Sequence, residues 1–308
     1  GSVTADVVLT TTVQAATVLA SITTDTPNPV PGDLVTYSVC ITNNGTAIAY
    51  DVVFTNLIPD NVTYSLGSIT TGTTGWANGT EITDEVDSPT PDAGDFDGTT
   101  ANTITVNLGN LAAGGGSICV YYQVTIDVGL AEGTTISNNP EIDFDNEGGT
   151  PYPTVDPTGD IDVDIAESFS VDIASTGTTS FIGDPSDSLF YPFSVQNLGN
   201  GTDFFNLTVD SYTYVNWVFY ADDGDGILST TELSATTAVT GPLGQSAVAY
   251  FVAVGVIPAG TADTAPDATT FKATSDGDNS VSDTDTASAV CTAPILTLVK
   301  SVNPPSTV

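Results

Sequence analysis

The chain has 308 residues, about two domains' worth of length, and its 40 % hydrophobic content is ample for packed cores. Thirty-eight Asp and Glu face two bases, Lys272 and Lys300, and there is no histidine, giving a formal charge of −36. Such a surface repels DNA, RNA and anionic membranes, and the missing histidine excludes Ser-His-Asp and Cys-His nucleophiles and His-ligated zinc.

The acids do not build a salt-bridged surface, because only 13 % of residues are charged. They comprise 31 Asp and 7 Glu, and Asp favours turns and cation-binding loops, where its short carboxylate reaches a metal or its own backbone. Either bound divalent cations offset part of the charge, or the surface is simply solvated and acidic. No Walker loop or dinucleotide fingerprint occurs, and carboxylate pairs are unavoidable by chance among so many acids. No catalytic residue is therefore assigned, and the expectation is a protein that is not an enzyme.

At the N-terminus "GSVTADVVLTTTVQAATVLAS" lacks a basic leader region. Either a signal has been removed or Gly1-Ser2 is a cloning remnant. Residues 1–15, with "VTADVVLTTTV", form a candidate loose strand. No apolar run is long enough to insert in a membrane. From residue 16 onward, apolar residues recur with a period of two between Gly, Pro, Asn and Asp. In "LVTYSVCITNNG" Val35, Tyr37, Val39 and Ile41 share one face, with Cys40 on the other. In "SICVYYQVTID" Ile118, Val120, Tyr122, Val124 and Ile126 share a face, with Cys119, Tyr121 and Gln123 opposite. Later, Leu189, Tyr191, Phe193 and Val195 alternate, as do Val248, Tyr250, Val252 and Val254. Short strands with one buried face each predict an all-β fold of antiparallel sandwiches.

"PNPVPGDLVTYSVCITNNGTAIAYDVVFTNLIPDNVTY", "LGNLAAGGGSICVYYQVTID" and "GLAEGTTISNNPEIDFDN" succeed one another in the first half. Pro-Gly-Asp before the Tyr strand, Asn-x-Gly after it, Asp or Asn near Leu-x-Pro and a late Gly-Thr-x-x-x-Asn strand resemble the surface-protein repeat called domain of unknown function eleven, over residues 16–165. The resemblance implies an immunoglobulin-like sandwich on a secreted, cell-surface protein, in tandem with relatives and without catalytic activity. An acidic insertion at 77–101 departs from the pattern. The resemblance also sets the strands of Cys40 and Cys119 side by side, and an oxidising exterior then implies a disulfide between them. Cys291 is left over, as a buried thiol or an intermolecular link.

Residues 166–291 resemble related surface sandwiches through "YPFSVQNLGNGTDFFNLTV". The predicted organisation is thus two tandem immunoglobulin-like sandwiches, 16–165 and 166–291, with strand-forming tails at 1–15 and 292–308. Within the second domain, "ADDGDGILSTTEL" fits an EF-hand-type loop with Gly226 at the sharp sixth position. Asp223 and Asp225 fill the third and fifth positions, the Ile227 carbonyl the seventh, Ser229 the ninth and Glu232 the twelfth. Ala221 at the first position cannot ligate, so Asp222 or water substitutes. The cofactor expected is structural Ca2+; the alternative is an ordinary Asp-Gly turn. Weaker acidic groups are Asp92, Asp95 and Asp97; Asp143 and Asp145; Asp160, Asp162 and Asp164 at the junction; and Asp276, Asp278, Asp283 and Asp285. Alternating acids on a strand repel unless water or a cation intervenes. Solvated turns are the default reading for them, with ion binding an alternative at the junction.

Among the aromatics, Trp217 shares a strand face with Val215 and Phe219 and reads as core. Trp76, in a Gly/Thr-rich loop, is the better candidate for a surface contact, and Tyr212 and Tyr214 are weaker ones. N-x-S/T sequons at Asn44, Asn61, Asn78, Asn200 and Asn206 mark candidate glycosylation positions.

"APILTLVKSVNPPSTV" lies past the second domain. It aligns with "ATVLASITTDTPNP" at a constant offset of 277, which sets Ile295 on Val18, Leu296 on Leu19, Val299 on Ile22 and Pro304 on Pro27. It reads as the first strand of a third repeat. A lone strand leaves its backbone unpaired, and burying Ile295, Leu296, Leu298 and Val299 would contribute roughly 6–12 kcal/mol before ordering costs. The segment could add to a sheet of a neighbouring copy, fold back on its own chain, or continue into a longer protein. Strand donation makes a head-to-tail contact that propagates as a fibre. The function expected is a subunit of an extracellular filament, with neighbouring copies as partners and calcium as stabiliser. The alternative is an adhesin or stalk segment presenting loops such as 77–101 to glycans or other cells.

Overall fold

A computed structural model of the chain describes residues 13–85, 93–159, 161–210, 216–234, 236–262, 266–292 and 300. It divides between Ala166 and Glu167 into two units, and almost all of its regular structure is strand.

The first unit contains β1 (Val18–Thr24), β2 (Leu34–Asn43), β3 (Ala49–Leu57), β4 (Val62–Tyr64), β5 (Thr70–Gly72), β6 (Thr80–Glu81) and β7 (Gly94–Phe96). These are followed by β8 (Thr103–Leu111), β9 (Gly116–Ile126), β10 (Thr135–Ser137), β11 (Glu141–Asp145), β12 (Thr158–Gly159) and β13 (Asp162–Asp164). One sheet runs β12-β1-β2-β9-β5-β6, with β4 also on β9; a second runs β11-β3-β8-β7, and β10 pairs with β13. The period-two residues fill the space between the main sheets: Val35, Tyr37, Val39 and Ile41 are fully buried, as are Val120, Tyr122 and Val124. Tyr37 and Tyr122 lie opposite each other in register and stack at 5.5 Å. Over Cys119–Tyr122 both faces of β9 are buried, because β5 pairs alongside and Gly75 N–H donates to the Tyr121 hydroxyl (3.1 Å). Cys40 and Cys119 face each other across β2 and β9 and are joined by a disulfide.

The second unit contains β14 (Val171–Ser175), β15 (Ser180–Gly183), β16 (Ser188–Asn197), β17 (Phe205–Asp210), β18 (Asn216–Asp222), β19 (Val248–Val256), β20 (Asp267–Ser275) and β21 (Ser282–Cys291). Its sheets run β14-β16-β19-β18 and β15-β21-β20-β17. Read as strands A to G with A split in two, this is the immunoglobulin order, A-B-E-D packed on A′-G-F-C. Tyr191, Phe193, Phe205 and Phe271 are fully buried at its centre, with Tyr191 and Phe271 stacked at 4.2 Å.

One strand differs from expectation. The alternating set Val248, Tyr250, Val252 and Val254 does not face the core; Phe251 and Ala253 do, together with Ala249. Aromatic rings from β16, β18 and β20 already fill that space, so β19 contributes mostly small side chains. Val248 and Tyr250 are exposed on the outer face, while Val252, the next residue in that row, is fully buried. The acidic loop after β18 lies against this face: a Cβ on Gly224 would meet the Tyr250 ring at 3.2 Å, and one on Gly226 would meet Pro192 at 3.3 Å.

Candidate metal centre

β18 is an edge strand whose inner face carries Trp217 and Phe219. Phe219 is buried and Trp217 half-buried, its ring edge-on to Phe271 at 5.0 Å, so Trp217 belongs to the core. Val215, Tyr212 and Tyr214 lie outside the described residues. The strand ends at Asp222 because Gly224 and Gly226 take the left-handed conformation (φ 105° and 72°), which only glycine adopts freely.

Three carboxylates then fold onto the turn. Asp222 Oδ2 accepts N–H bonds from Gly224 (2.9 Å) and Gly226 (3.0 Å). Asp223 Oδ1 accepts from Asp225 (3.2 Å), and Asp225 Oδ1 from Ile227 (2.7 Å). One oxygen from each of Asp222, Asp223 and Asp225 lies within 4.8 Å of the others. Asp222 Oδ1 is buried with no hydrogen-bond partner. Glu232 closes the loop from the far side, its Oε1 accepting from Asp223 N–H (3.0 Å) and its Oε2 from Ser229 N–H (2.7 Å). The Ser229 N–H and hydroxyl hold the Glu232 carboxyl below its ordinary value. Ser229 and Ile227 are exposed on the same loop.

The sequence placed Ala221 at the head of the loop and gave Asp222 a substitute's part. In the structure Asp222 both caps the turn and turns a bare oxygen inward. The side chains seating the loop, Tyr250 and Pro192, carry no sequence signal, because they come from other strands.

Several of the other acids have local partners. Asp95 accepts from Gly98 and Thr99 N–H and the Thr99 hydroxyl (2.7 Å), and Asp97 from Asn102 N–H (2.6 Å). Asp143 takes the Thr154 hydroxyl (2.6 Å). Asp162 and Asp164 face the Ser137 and Thr135 hydroxyls across β10 and β13. Asp278 caps Ser280. Asp283 and Asp285 lie on strand β21 and not in a turn. Asp92 and Asp160 lie outside the described residues, as do Ile295, Leu296, Leu298 and Val299 and residues 1–12.

Trp76 is exposed, with its Nε1 donating to the Ser68 carbonyl (2.8 Å). Of the sequons, Asn44 and Asn78 are exposed and Asn61 and Asn206 half-buried. Asn200 is buried and its Oδ1 accepts from Ser168 N–H (2.6 Å), so a glycan there would require opening the loop. Cys291 is a fully buried thiol outside the Cys40–Cys119 disulfide, and its Sγ–H donates to the Thr261 carbonyl (3.8 Å).

No helix among the described residues is long and apolar enough to cross a membrane. No family model and no curated protein matches the chain. Among solved structures, the major pilin subunit BcpA of Bacillus cereus is similar at 11 % identity and a TM-score of 0.36, over 91 % of this chain and 69 % of that one. In a second BcpA structure the chain spans 59 % of that protein's length. A C-terminal fragment of the major pilin GBS80 of Streptococcus agalactiae gives 14 % identity and a TM-score of 0.36, over 88 % and 91 % of the two chains. The collagen-binding domain from a Staphylococcus aureus adhesin gives 18 % identity and 0.29, over 46 % and 99 %. Likenesses this remote carry no function across.

Proposed function

We propose that the chain is a secreted structural subunit of a surface appendage, joined head-to-tail by a donated strand and stiffened by calcium. The observation that carries the reading joins sequence to fold. The second unit already owns a full set of A-to-G strands between Val171 and Cys291, so residues 293–304 are surplus to it. Their counterpart at an offset of 277 is β1, which pairs with β2 over seven residues and buries Val18, Ala20 and Ile22. The tail sequence thus has the pattern of a strand that is stable only inside a sheet. The disulfide and the acidic, cation-poor composition support an exterior location.

Negative-stain microscopy and size-exclusion chromatography of the full chain, beside a version lacking residues 292–308, test the assembly. Ordered fibres that vanish on truncation are expected; monomers in both samples would remove the filament. Calcium is supported by three clustered carboxylates, a buried bare oxygen on Asp222 and a loop closed by Glu232. Its remaining ligands are the Ile227 carbonyl, Ser229 and Glu232.

A second reading, an adhesin or stalk segment, is favoured by the exposed Trp76 ring at the head of the acidic insertion. Glycan-array binding by monomeric protein, lost in Trp76→Ala, would select it.

A further inference from the structure

The first strand of the second unit is split between the two sheets. β14 pairs antiparallel with β16; the chain then crosses over residues 176–179, and β15 pairs in parallel with β21 in the opposite sheet. Contacts with β21 advance in step along both pieces. Ile173 N–H donates to Asp283 Oδ2 (3.0 Å) and Ser175 N–H to Asp285 Oδ2 (2.6 Å). Next, Ser288 N–H donates to the Thr179 carbonyl (2.8 Å), and the register runs from Ser180↔Ser288 to Gly183↔Cys291. Thr292 N–H closes the series on the Gly183 carbonyl (3.0 Å). The first and last strands therefore lie side by side and point the same way over the length of the unit.

This sets entry and exit at opposite ends. Phe169, just before β14, packs on the turn between β20 and β21, where a Cβ on Gly277 would strike its ring. Thr292, just after β21, sits at the other end, its hydroxyl donating to Asp184 Oδ1 (3.0 Å). Tension between the two ends pulls β14–β15 and β21 in opposite directions along their own axes. The bonds between them lie across the pull and are loaded together, whereas an antiparallel hairpin pulled at its open end unzips one bond at a time. Forced unfolding is governed by the unfolding rate, so the number of contacts that must break together sets the resistance.

Asp283 and Asp285 have a specific part here. β14 belongs to the other sheet and cannot form a backbone ladder with β21, so two carboxylates reach across to take its N–H groups. The fully buried Tyr191 donates its hydroxyl to the same Asp285 oxygen (2.7 Å), which ties that link to the core.

We propose that β14–β15 against β21 is a shear clamp that keeps the second unit folded under tension along the chain. The appendage reading supplies only the source of the tension; the clamp is a property of a single chain.

Optical-tweezer pulling of the full chain with handles at its two termini tests it. Unfolding the second unit releases roughly 400 Å of chain, against roughly 230 Å for the first unit, whose disulfide withholds a separation of 79 residues. In a second geometry the N-terminal handle moves to Ser186→Cys, an exposed position just past β15 at the exit end, so the same strand pair is peeled. The end-to-end rupture force of the second unit is expected to exceed the peeling force at least twofold. An Asp283→Ala/Asp285→Ala chain is expected to lose end-to-end resistance and keep its peeling force, because peeling opens first at Gly183 and Cys291. Equal forces in the two geometries would overturn the clamp, and the geometry comparison needs no core substitution. Fibre formation, read by microscopy on the same material, is independent of either result.

Discussion

At the last residue of β2 the backbone turns out of the sheet, and one side chain takes up the groups left behind. Asn43, fully buried, accepts at Oδ1 from Thr17 and Gly45 N–H (3.1 and 3.0 Å) and donates through Nδ2 to the Ala47 and Leu111 carbonyls (2.9 and 3.1 Å). Asn197 at the end of β16 repeats the arrangement, accepting from Gly199 (2.8 Å) and donating to the Gly201 and Leu243 carbonyls (2.9 and 2.7 Å). The glycine two residues on is required for space: a Cβ on Gly45 or Gly199 would fall 2.4 Å from the Ala15 or Ser168 carbonyl oxygen. Removing a buried hub leaves several partners unsatisfied, at about 1–3 kcal/mol for each one water cannot reach. Asn43→Ala and Asn197→Ala are each expected to cost about 3 kcal/mol in urea unfolding, each in its own unit's transition. Asn206→Ala, on the half-buried face of β17, should cost under about 0.5 kcal/mol. Asn-x-Gly was legible in the sequence as punctuation between strands. Its role as a hub was not, since Leu111 and Leu243 reach it only in the folded chain.

Elements with clean alternation were read correctly in type and face when their large residues had empty space to fill, as in β2 and β16. β19 failed that test because a sequence shows periodicity without phase: its valines and Tyr250 form the outer row, and the smaller Ala249, Phe251, Ala253 set faces rings from three other strands. β13 shows the converse. Alternating Asp162 and Asp164 looked repulsive, yet each meets a hydroxyl opposite it on β10. The tyrosines of the core strands make a pH prediction at this scale. Burial pushes the Tyr37 phenol up to about 12, and burial also raises Tyr122 and Tyr191 well beyond the ordinary phenol range. The folded state thus holds protons that the unfolded chain releases near pH 10. Stability is fully present below pH 10 and is lost as pH rises from there through about 12. Urea midpoints should therefore be flat from about pH 7 to 9 and fall steeply above pH 10, with ionisation of these buried phenols accompanying unfolding and not preceding it.

At the scale of the whole molecule, 38 acids are carried with two bases to offset them, a net charge of −36. The acids are tolerated one at a time because backbone N–H groups and hydroxyls cap them, as at Asp95, Asp203 and Asp278, but their mutual repulsion still opposes compaction. Two contributions to salt dependence then separate. Screening acts on all the charge, is insensitive to ion identity at matched ionic strength and grows as the Debye length drops, to about 8 Å near physiological ionic strength. The proposed calcium loop at Asp222, Asp223 and Asp225 would add a term that depends on calcium alone and on the second unit alone. Sodium chloride is expected to raise the melting temperature of both units. Millimolar calcium at matched ionic strength is expected to raise the second unit further, by RT ln(1 + [L]/Kd), or about 2.7 kcal/mol at a hundredfold excess over Kd. Asp225→Ala should abolish the calcium increment and leave the sodium increment intact. Calorimetry that resolves the two transitions measures both, and a calcium effect equal in the two units, or one that survives Asp225→Ala, would assign the ion to diffuse screening and not to the loop.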